Sequence, residues 1–224
     1  MPASCCGPHF RDSLSRRAIG DAQSSLDVPA VTSSDLRLET ERLVLRSWQN
    51  GDREPFARLN ADPVVMEHFP GVLSWAESDS FAARIDAHFK DHGYGLWAVE
   101  VPGEANFIGF VGLSVPSFDA PFMPAVEVGW RIDKAYWGRG FATEAGHAAV
   151  ADGFERVGLA EIVSFTTPAN MRSIRVMERL GMTRNSADDF DHPRLPEHHR
   201  LRRHVLYRLS RAAWLKAHQP ASAG

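Results

Sequence analysis

Along this chain the spacing of hydrophobic positions changes several times, and each change predicts an element. Residues 1–35 mix Ser, Asp, Arg, Pro and Gly without a sustained period and read as a tail. Arg42-Leu43-Val44-Leu45-Arg46 alternates as a strand does. Asn50 or Asp52 can cap a short helix through Asn60, with Phe56 and Leu59 on one face, and Pro63 opens another through Phe69. Ser74-Trp75-Ala76-Glu77 is a capping box, behind which Phe81, Ile85 and Phe89 recur at helical spacing until Gly93.

A β-rich centre follows. Residues 96–101 and 107–115 flank Pro102-Gly103-Glu104 as a hairpin, and 125–132 is a third strand. The connection 116–124, rich in proline and aromatics, either faces a substrate or packs. Residues 141–157 form a helix with Phe141, Ala145, Ala148 and Ala149 inward, and 162–166 a strand. Residues 170–180 form a helix with Ile174, Met177 and Leu180 on one side and Gly181 as its stop. Residues 204–209 are the last strand, before a helical tail around Trp214. There is no internal repeat. A hairpin meander followed by strand–helix–strand–helix–strand predicts a mixed sheet with helices on both faces. We expect one domain over 36–217, with 1–35 a disordered tail and 218–224 a flexible end.

Composition narrows this picture by exclusion. The net charge of −3 gives no global field for nucleic acid or an acidic membrane. No apolar run reaches the length of a membrane span. Arg11, Arg16 and Arg17 precede no apolar segment of the secretory kind. The two cysteines, Cys5 and Cys6, are adjacent and build neither a disulfide framework nor a zinc motif. A cytoplasmic protein is expected.

The stretch Trp137-Gly138-Arg139-Gly140-Phe141-Ala142-Thr143-Glu144 offers chemistry. It joins a strand to a helix start, where N–H groups lack intrahelical partners and the helix dipole is positive. Glycines let such a backbone approach an anion without a Cβ in the way. Arg139 adds a charge and Thr143 a hydroxyl donor. The same spacing also serves a turn that needs only small residues. It is neither a Walker-type G-x-x-x-x-G-K-[ST] nor a G-x-G-x-x-G dinucleotide turn.

Three segments in this order resemble the GNAT superfamily of acetyl-CoA-dependent N-acetyltransferases, closest to its Rim-type branch of ribosomal-protein N-terminal acetyltransferases. Val126-Glu127-Val128-Gly129-Trp130-Arg131-Ile132 is similar to the family's central strand. The stretch from Trp137 to Ala145 is similar to its pyrophosphate loop. Asn170-x-x-Ser173-x-x-Val176-x-Glu178-x-Leu180-Gly181-Met182 is similar to its second coenzyme-contacting helix. The opening 38–46 and the closing 203–209 fit as well, so the resemblance spans 36–216. Trp137 stands where the family usually has Gln or Arg, as in many Rim-type members. Met177 stands where one branch carries a tyrosine general acid.

The resemblance implies an α/β (α+β) fold: a mixed, mostly antiparallel sheet of six to seven strands, splayed at the central strand, with helices on both faces. It implies acetyl-CoA as cosubstrate and no metal. The pantetheine arm adds like a strand beside Trp130 and Ile132, and the pyrophosphate sits on Gly138, Arg139, Gly140, Ala142 and Thr143. Asn170 holds the pantetheine or its sulfur, and Ser173 protonates the leaving thiolate.

Acetyl transfer from a thioester to an amine needs a base, because the amine must attack neutral, and a donor for the oxyanion. Glu127 is the candidate base; it reads equally as a strand carboxylate paired to a nearby arginine. Its rival is Asp188-Asp189-Phe190-Asp191-His192, where some Rim-type relatives place a carboxylate and where His192 titrates in the right range. Asn170 and Ser173 also suit plain capping. His192, His198, His199 and His204 lack the helical pairing of H-E-x-x-H and are interrupted by Pro193 and Pro196. Two functions stay open. One is transfer to a primary amine, a protein N-terminus or a small molecule such as an aminoglycoside-type drug, by direct attack in a ternary complex. The other is a non-catalytic acyl-CoA-binding or sensing module. The partners expected are acetyl-CoA and the acceptor, without nucleic acid or membrane, in a monomer or homodimer. The acceptor pocket is expected about 67–75 and 116–124.

Overall fold

A computed structural model describes residues 37–219; the tail expected at 1–35 lies outside them. The first alternating run becomes β1 (Leu38–Glu39) and β2 (Val44–Arg46), and α1 (Arg53–Ala61) follows a single 3-10 turn, Asn50–Asp52. The helix expected from Pro63 is not formed, and residues 63–69 run through turns. Asp62 caps the segment as it would a helix, its carboxylate accepting the N–H groups of Val64 and Val65 at 2.8 and 3.4 Å, and the Met66 N–H reaches the Asp62 carbonyl at 3.0 Å, but the turn does not propagate and Phe69 N–H bonds the Met66 carbonyl three residues back. α2 (Trp75–His92) begins at the Ser74–Glu77 capping box and ends at Gly93, whose φ of 70° is left-handed.

The centre holds β3 (Leu96–Val101), β4 (Ala105–Ser114) and β5 (Glu127–Ile132), then α3 (Phe141–Glu155), β6 (Glu161–Thr166) and α4 (Met171–Arg179). β7 (Thr183–Arg184), β8 (Phe190–Asp191), β9 (Arg203–Ser210) and α5 (Arg211–His218) complete the chain. The sheet order is β1-β2-β3-β4-β5-β6-β9-β7, with β8 also on β9, and every pairing is antiparallel except β5 with β6. The described residues form nine strands, more than the six or seven expected, because β1, β7 and β8 have two residues each, too few to leave a period in the sequence.

Helices cover both faces. On one, Phe56 and Leu59 of α1 and Ala82 and Ile85 of α2 bury against Leu96 and Phe110. On the other, Phe141, Ala145 and Ala149 of α3 and Ile174 and Met177 of α4 bury against Val111, Val128 and Ile162. Truncating a fully buried residue such as Phe56 to alanine is expected to cost about 3–5 kcal/mol. The 116–124 connection packs: Phe118 and Phe122 sit against Phe165 and Phe190. Among the described residues no helix is long and apolar enough to cross a membrane.

Candidate active site at the parting of two strands

β5 pairs with β4 along its whole length, from Glu127↔Ser114 to Ile132↔Gly109. With its parallel neighbour β6 it shares one position, Glu127↔Val163. Beyond that point the strands part, and a gap opens towards their carboxyl ends. β5, α3 and β6 form a strand–helix–strand crossover, and ligands of such sheets bind outside the carboxyl ends of the strands. The N–H of Asp133 donates to Ile108, and that of Val163 to Val126. Antiparallel alternation then turns the backbone groups of Trp130 and Ile132 away from β4 and into the gap. The Ile132 carbonyl already accepts the Trp137 indole N–H at 2.8 Å, which fixes the chain as it leaves β5.

The loop after β5 flanks this opening. Gly138 and Gly140 have φ of 78° and 84°, a region closed to most side chains, and Gly140 caps α3. Thr143 and Glu144 N–H groups both turn back onto the Gly140 carbonyl. The N–H groups of residues 138–142 have no acceptor among the described residues, so five consecutive donors surround the positive end of α3. That donor set suits a pyrophosphate. Arg139 is held elsewhere: both its Nη atoms engage Glu104, at 2.5 and 2.8 Å, and its guanidinium lies over the Phe141 ring. Glu144 is structural, accepting from the Thr40 hydroxyl (2.6 Å) and the Arg42 N–H (2.9 Å) to tie the β1–β2 turn to α3.

Across the gap, α4 begins just after β6. Asn170 caps it: Oδ1 accepts the Ser173 N–H at 3.2 Å, and Nδ2 donates to Thr166 Oγ1 (2.9 Å) and Ser173 Oγ (3.0 Å). Ser173 Oγ is thus an acceptor within the chain, and its own proton is left to give. Met177, one turn on, is buried in the core and leaves no acid at that position. Arg172, which the sequence reading passed over, stacks on Trp137 at 4.3 Å and joins the α4 start to the loop.

The side chains of Glu127, Gly129 and Arg131 alternate onto the face covered by α1 and α2. The Glu127 carboxyl has no hydrogen-bond or ion-pair partner among the described residues, so no arginine holds it. Part of its surface reaches solvent, yet desolvation by the surrounding protein raises its pKa to about 8. The rival group is engaged elsewhere. Asp188 pairs with Arg208 at 2.9 Å, Asp189 with Arg184, and Asp191 with Arg202 and Arg203. His192 lies among Phe118, Phe190 and His204, and burial, with His204 and Arg194 nearby, lowers its pKa to about 4. No group of three or more metal-ligating side chains gathers among the described residues.

The 62–73 connection reaches over the opening. Phe69 lies against Arg131 of β5, at 4.2 Å, and His68 Nδ1 is 3.3 Å from the Thr167 hydroxyl just after β6. Arg200 Nη2 donates to the Glu67 carbonyl at 2.9 Å and adds the β8–β9 connection to this wall. Desolvation, then the charges of Arg200 and Arg172, holds the His68 pKa down. Sequence spacing could not have found these partners, because each pair joins distant segments.

Sheet, crossover and opening together define an α/β acyltransferase fold. The chain belongs to the GNAT acetyltransferase family: residues 42–183 match its acetyltransferase (GNAT) domain. The FsC-acetyl coenzyme A-N(2)-transacetylase of Aspergillus fumigatus is 29% identical over 195 residues, 82% of this chain and 80% of that protein. A GNAT-family acetyltransferase from Bacillus anthracis superposes with a TM-score of 0.64 at 24% identity, covering 79% of this chain and 99% of that one. The ribosomal-protein-S5-alanine acetyltransferase of Vibrio fischeri gives 0.61 at 18% identity, covering 83% and 100%, a likeness of fold. GNAT acetyltransferases use acetyl-CoA, and the chain is accordingly an acyltransferase.

Proposed function

We propose that the protein transfers the acetyl group of acetyl-CoA to a primary amine by direct attack in a ternary complex. The observation that carries this reading is the parting of β5 from β6 immediately beyond the unpartnered, proton-holding Glu127. The free N–H groups of residues 138–142 hold the pyrophosphate, and the exposed edge of β5 at Trp130 and Ile132 takes the pantetheine amides as a strand would. A backbone N–H of that edge polarises the thioester carbonyl. In its ionised form Glu127 accepts a proton from the acceptor amine, directly or through water, as the nitrogen bonds to the carbonyl carbon. The C–S bond then breaks, and Ser173, held by Asn170, passes its hydroxyl proton to the sulfur as water reprotonates the serine oxygen, while the proton taken up by Glu127 returns to solvent. The products are an amide and free CoA.

A base with a pKa near 8 matches the removal of a proton from an amine better than carboxylates already bound to arginines. This favours Glu127 over the Asp188–His192 segment. The acceptor is a protein N-terminal amine, as in the Rim-type branch, or a small-molecule amine; the names of the relatives include both a ribosomal-protein alanine and an N(2) nitrogen. The test is thioester consumption with a panel of amines beside calorimetric CoA binding. Turnover with at least one amine, reduced by orders of magnitude in Glu127→Gln, is expected. CoA binding without turnover on any amine overturns the reading.

A further inference from the structure

Among the described residues two arginines are nearly fully buried, and they are satisfied in opposite ways. Arg46, 7% exposed, meets Asp52 with both Nη atoms at 2.8 and 2.9 Å and Glu100 with Nε at 2.9 Å. Arg131, 8% exposed, meets no carboxylate among the described residues. Its Nη1 donates to the Asn60 amide oxygen, and its Nε is buried without a partner. Nη2 has no hydrogen-bond partner among the described residues and, unlike Nε, is not wholly buried. The rings of Phe69, Phe81 and Phe110 lie 4.2, 5.6 and 5.4 Å from the guanidinium carbon. Arginine keeps its proton, so a buried guanidinium without a counter-charge weighs on the fold. Burial depresses its pKa only to about 9, leaving it charged at neutral pH.

Arg131 shares its strand face with Glu127. Their Cα atoms are about 13 Å apart at strand spacing. Between them lies Gly129, where a Cβ would meet only the Glu127 carboxyl, at 3.8 Å. This face of β5 therefore runs from a carboxyl, over an open position, to a cation with no carboxylate partner among the described residues.

Resting on the acetyl-transfer reading, we propose that Arg131 supplies the binding site for a carboxylate of the acceptor, so that the substrate is an amine bearing a carboxylate several bonds away. Asn60 positions the guanidinium through Nη1, itself fixed by the Ser78 hydroxyl 3.1 Å from its Nδ2. Polycationic amines are disfavoured because they bring charge of the same sign to a desolvated site.

The test uses CoA-saturated protein and matched probes: dipeptides and γ- and ε-amino acids, each as free acid and as carboxamide, titrated by calorimetry. The wild type should prefer at least one acid over its amide by about tenfold or more. Arg131→Met should weaken binding of that acid by about ten- to a hundredfold and leave its amide within about twofold. Asn60→Asp, which hands Arg131 a carboxylate from within the protein, should erase the preference while melting no lower than wild type. This variant tests the idea even if Arg131→Met folds poorly. Equal binding of acids and amides by the wild type, or no acid-dependent binding at all, overturns the proposal. So does a folded Arg131→Met variant that loses both probes equally. An enzyme that acetylates amines without this preference discards Arg131 alone. An acid preference in a protein that turns over no amine discards the transfer reaction and keeps the site.

Discussion

The two sides of the β5–β6 opening are built from different materials. On the loop side, the donors are backbone N–H groups of consecutive residues, 138–142, exposed because Gly138 and Gly140 hold positive φ and α3 starts there. On the side covered by α1 and α2, the groups are side chains: Glu127 and Arg131 of β5, Asn60 of α1, Phe69 and His68 of the 62–73 connection. On the proposed reading, backbone donors would hold the phosphates common to one coenzyme. Side chains gathered from separate segments can change one at a time without disturbing the loop. One fold can thus keep its acyl donor while its acceptor varies.

The sharpest way to break that comparison is at Glu127, where the acceptor side should carry rate and no coenzyme affinity. Glu127→Gln is expected to lower the acetyl-transfer rate by roughly 10²–10⁴, with CoA affinity unchanged. In the wild type the rate should rise with pH until the carboxyl is ionised, levelling above about 8, and the variant should lack that limb. Stability gives an independent check. The folded protein holds this proton more tightly than the unfolded chain, so the wild type loses stability as pH rises from the ordinary carboxylate range through about 8. Glutamine removes that loss, and melts at pH 6 and pH 9 should differ less in the variant. A base elsewhere would leave the rate limb in place.

The loop side is broken at Gly140. Its φ of 84° is strained for any β-branched residue, whereas the space is open: an added Cβ would meet Arg42 Nη2 at an ordinary 3.5 Å. Gly140→Val should therefore either keep the loop at a cost of about 1–2 kcal/mol or turn N–H groups out of the cradle. Losing two charge-assisted hydrogen bonds weakens CoA binding by about a hundredfold or more. Its melting temperature should fall by about 2–8 °C. Full CoA affinity in the folded variant would remove the phosphate role from this loop.

The same contrast explains what the sequence could show. The capping box at Ser74, the stop at Gly93, the β3–β4 hairpin and the α4 cap at Asn170 are local, and each falls where its residues put it. The 137–143 loop is local too, so its geometry was legible as a strand, two glycines and a helix start. The cap at Asp62 and Pro63 was legible, and it does open one turn, but that turn does not propagate into a helix, and no local signal before Pro70 marks where it stops. Glu127 could be named as a candidate but not separated from an ordinary paired strand carboxylate, because the absence of an arginine beside it is a tertiary fact. Arg131 alternates with Glu127 along β5, which the sequence shows, but its partners Asn60 and Phe69 come from another part of the chain and are not local signals.

A smaller effect is expected at Ser173, on the coenzyme side but tied to chemistry. Its hydroxyl accepts from Asn170, so its proton can go to the sulfur only as the thiolate develops. Ser173→Ala should reduce the transfer rate about tenfold or more while CoA affinity changes little. Asn170 still caps α4 in that variant through the backbone N–H of residue 173, so the melt should hardly move. Equal losses of rate and affinity would make Ser173 a binding residue instead.

The smallest effect asks whether the loop side uses backbone alone. Arg139 was expected to add charge to the phosphate, but its fork is closed on Glu104 of the β3–β4 turn, an exposed pair on a mobile scale of energies. To reach a phosphate the guanidinium must leave that carboxylate. Glu104→Gln removes the competitor without touching the loop. If Arg139 swings over when CoA binds, the variant should bind CoA roughly two- to fivefold more tightly at low salt. Because both the pair and the new contact are exposed, the gain should shrink as salt is raised past about 0.15 M. Calorimetry of both proteins at two salt concentrations measures this. Identical affinities at low salt would leave Arg139 with Glu104, and the five N–H groups would then be the whole of the loop's hold on the pyrophosphate.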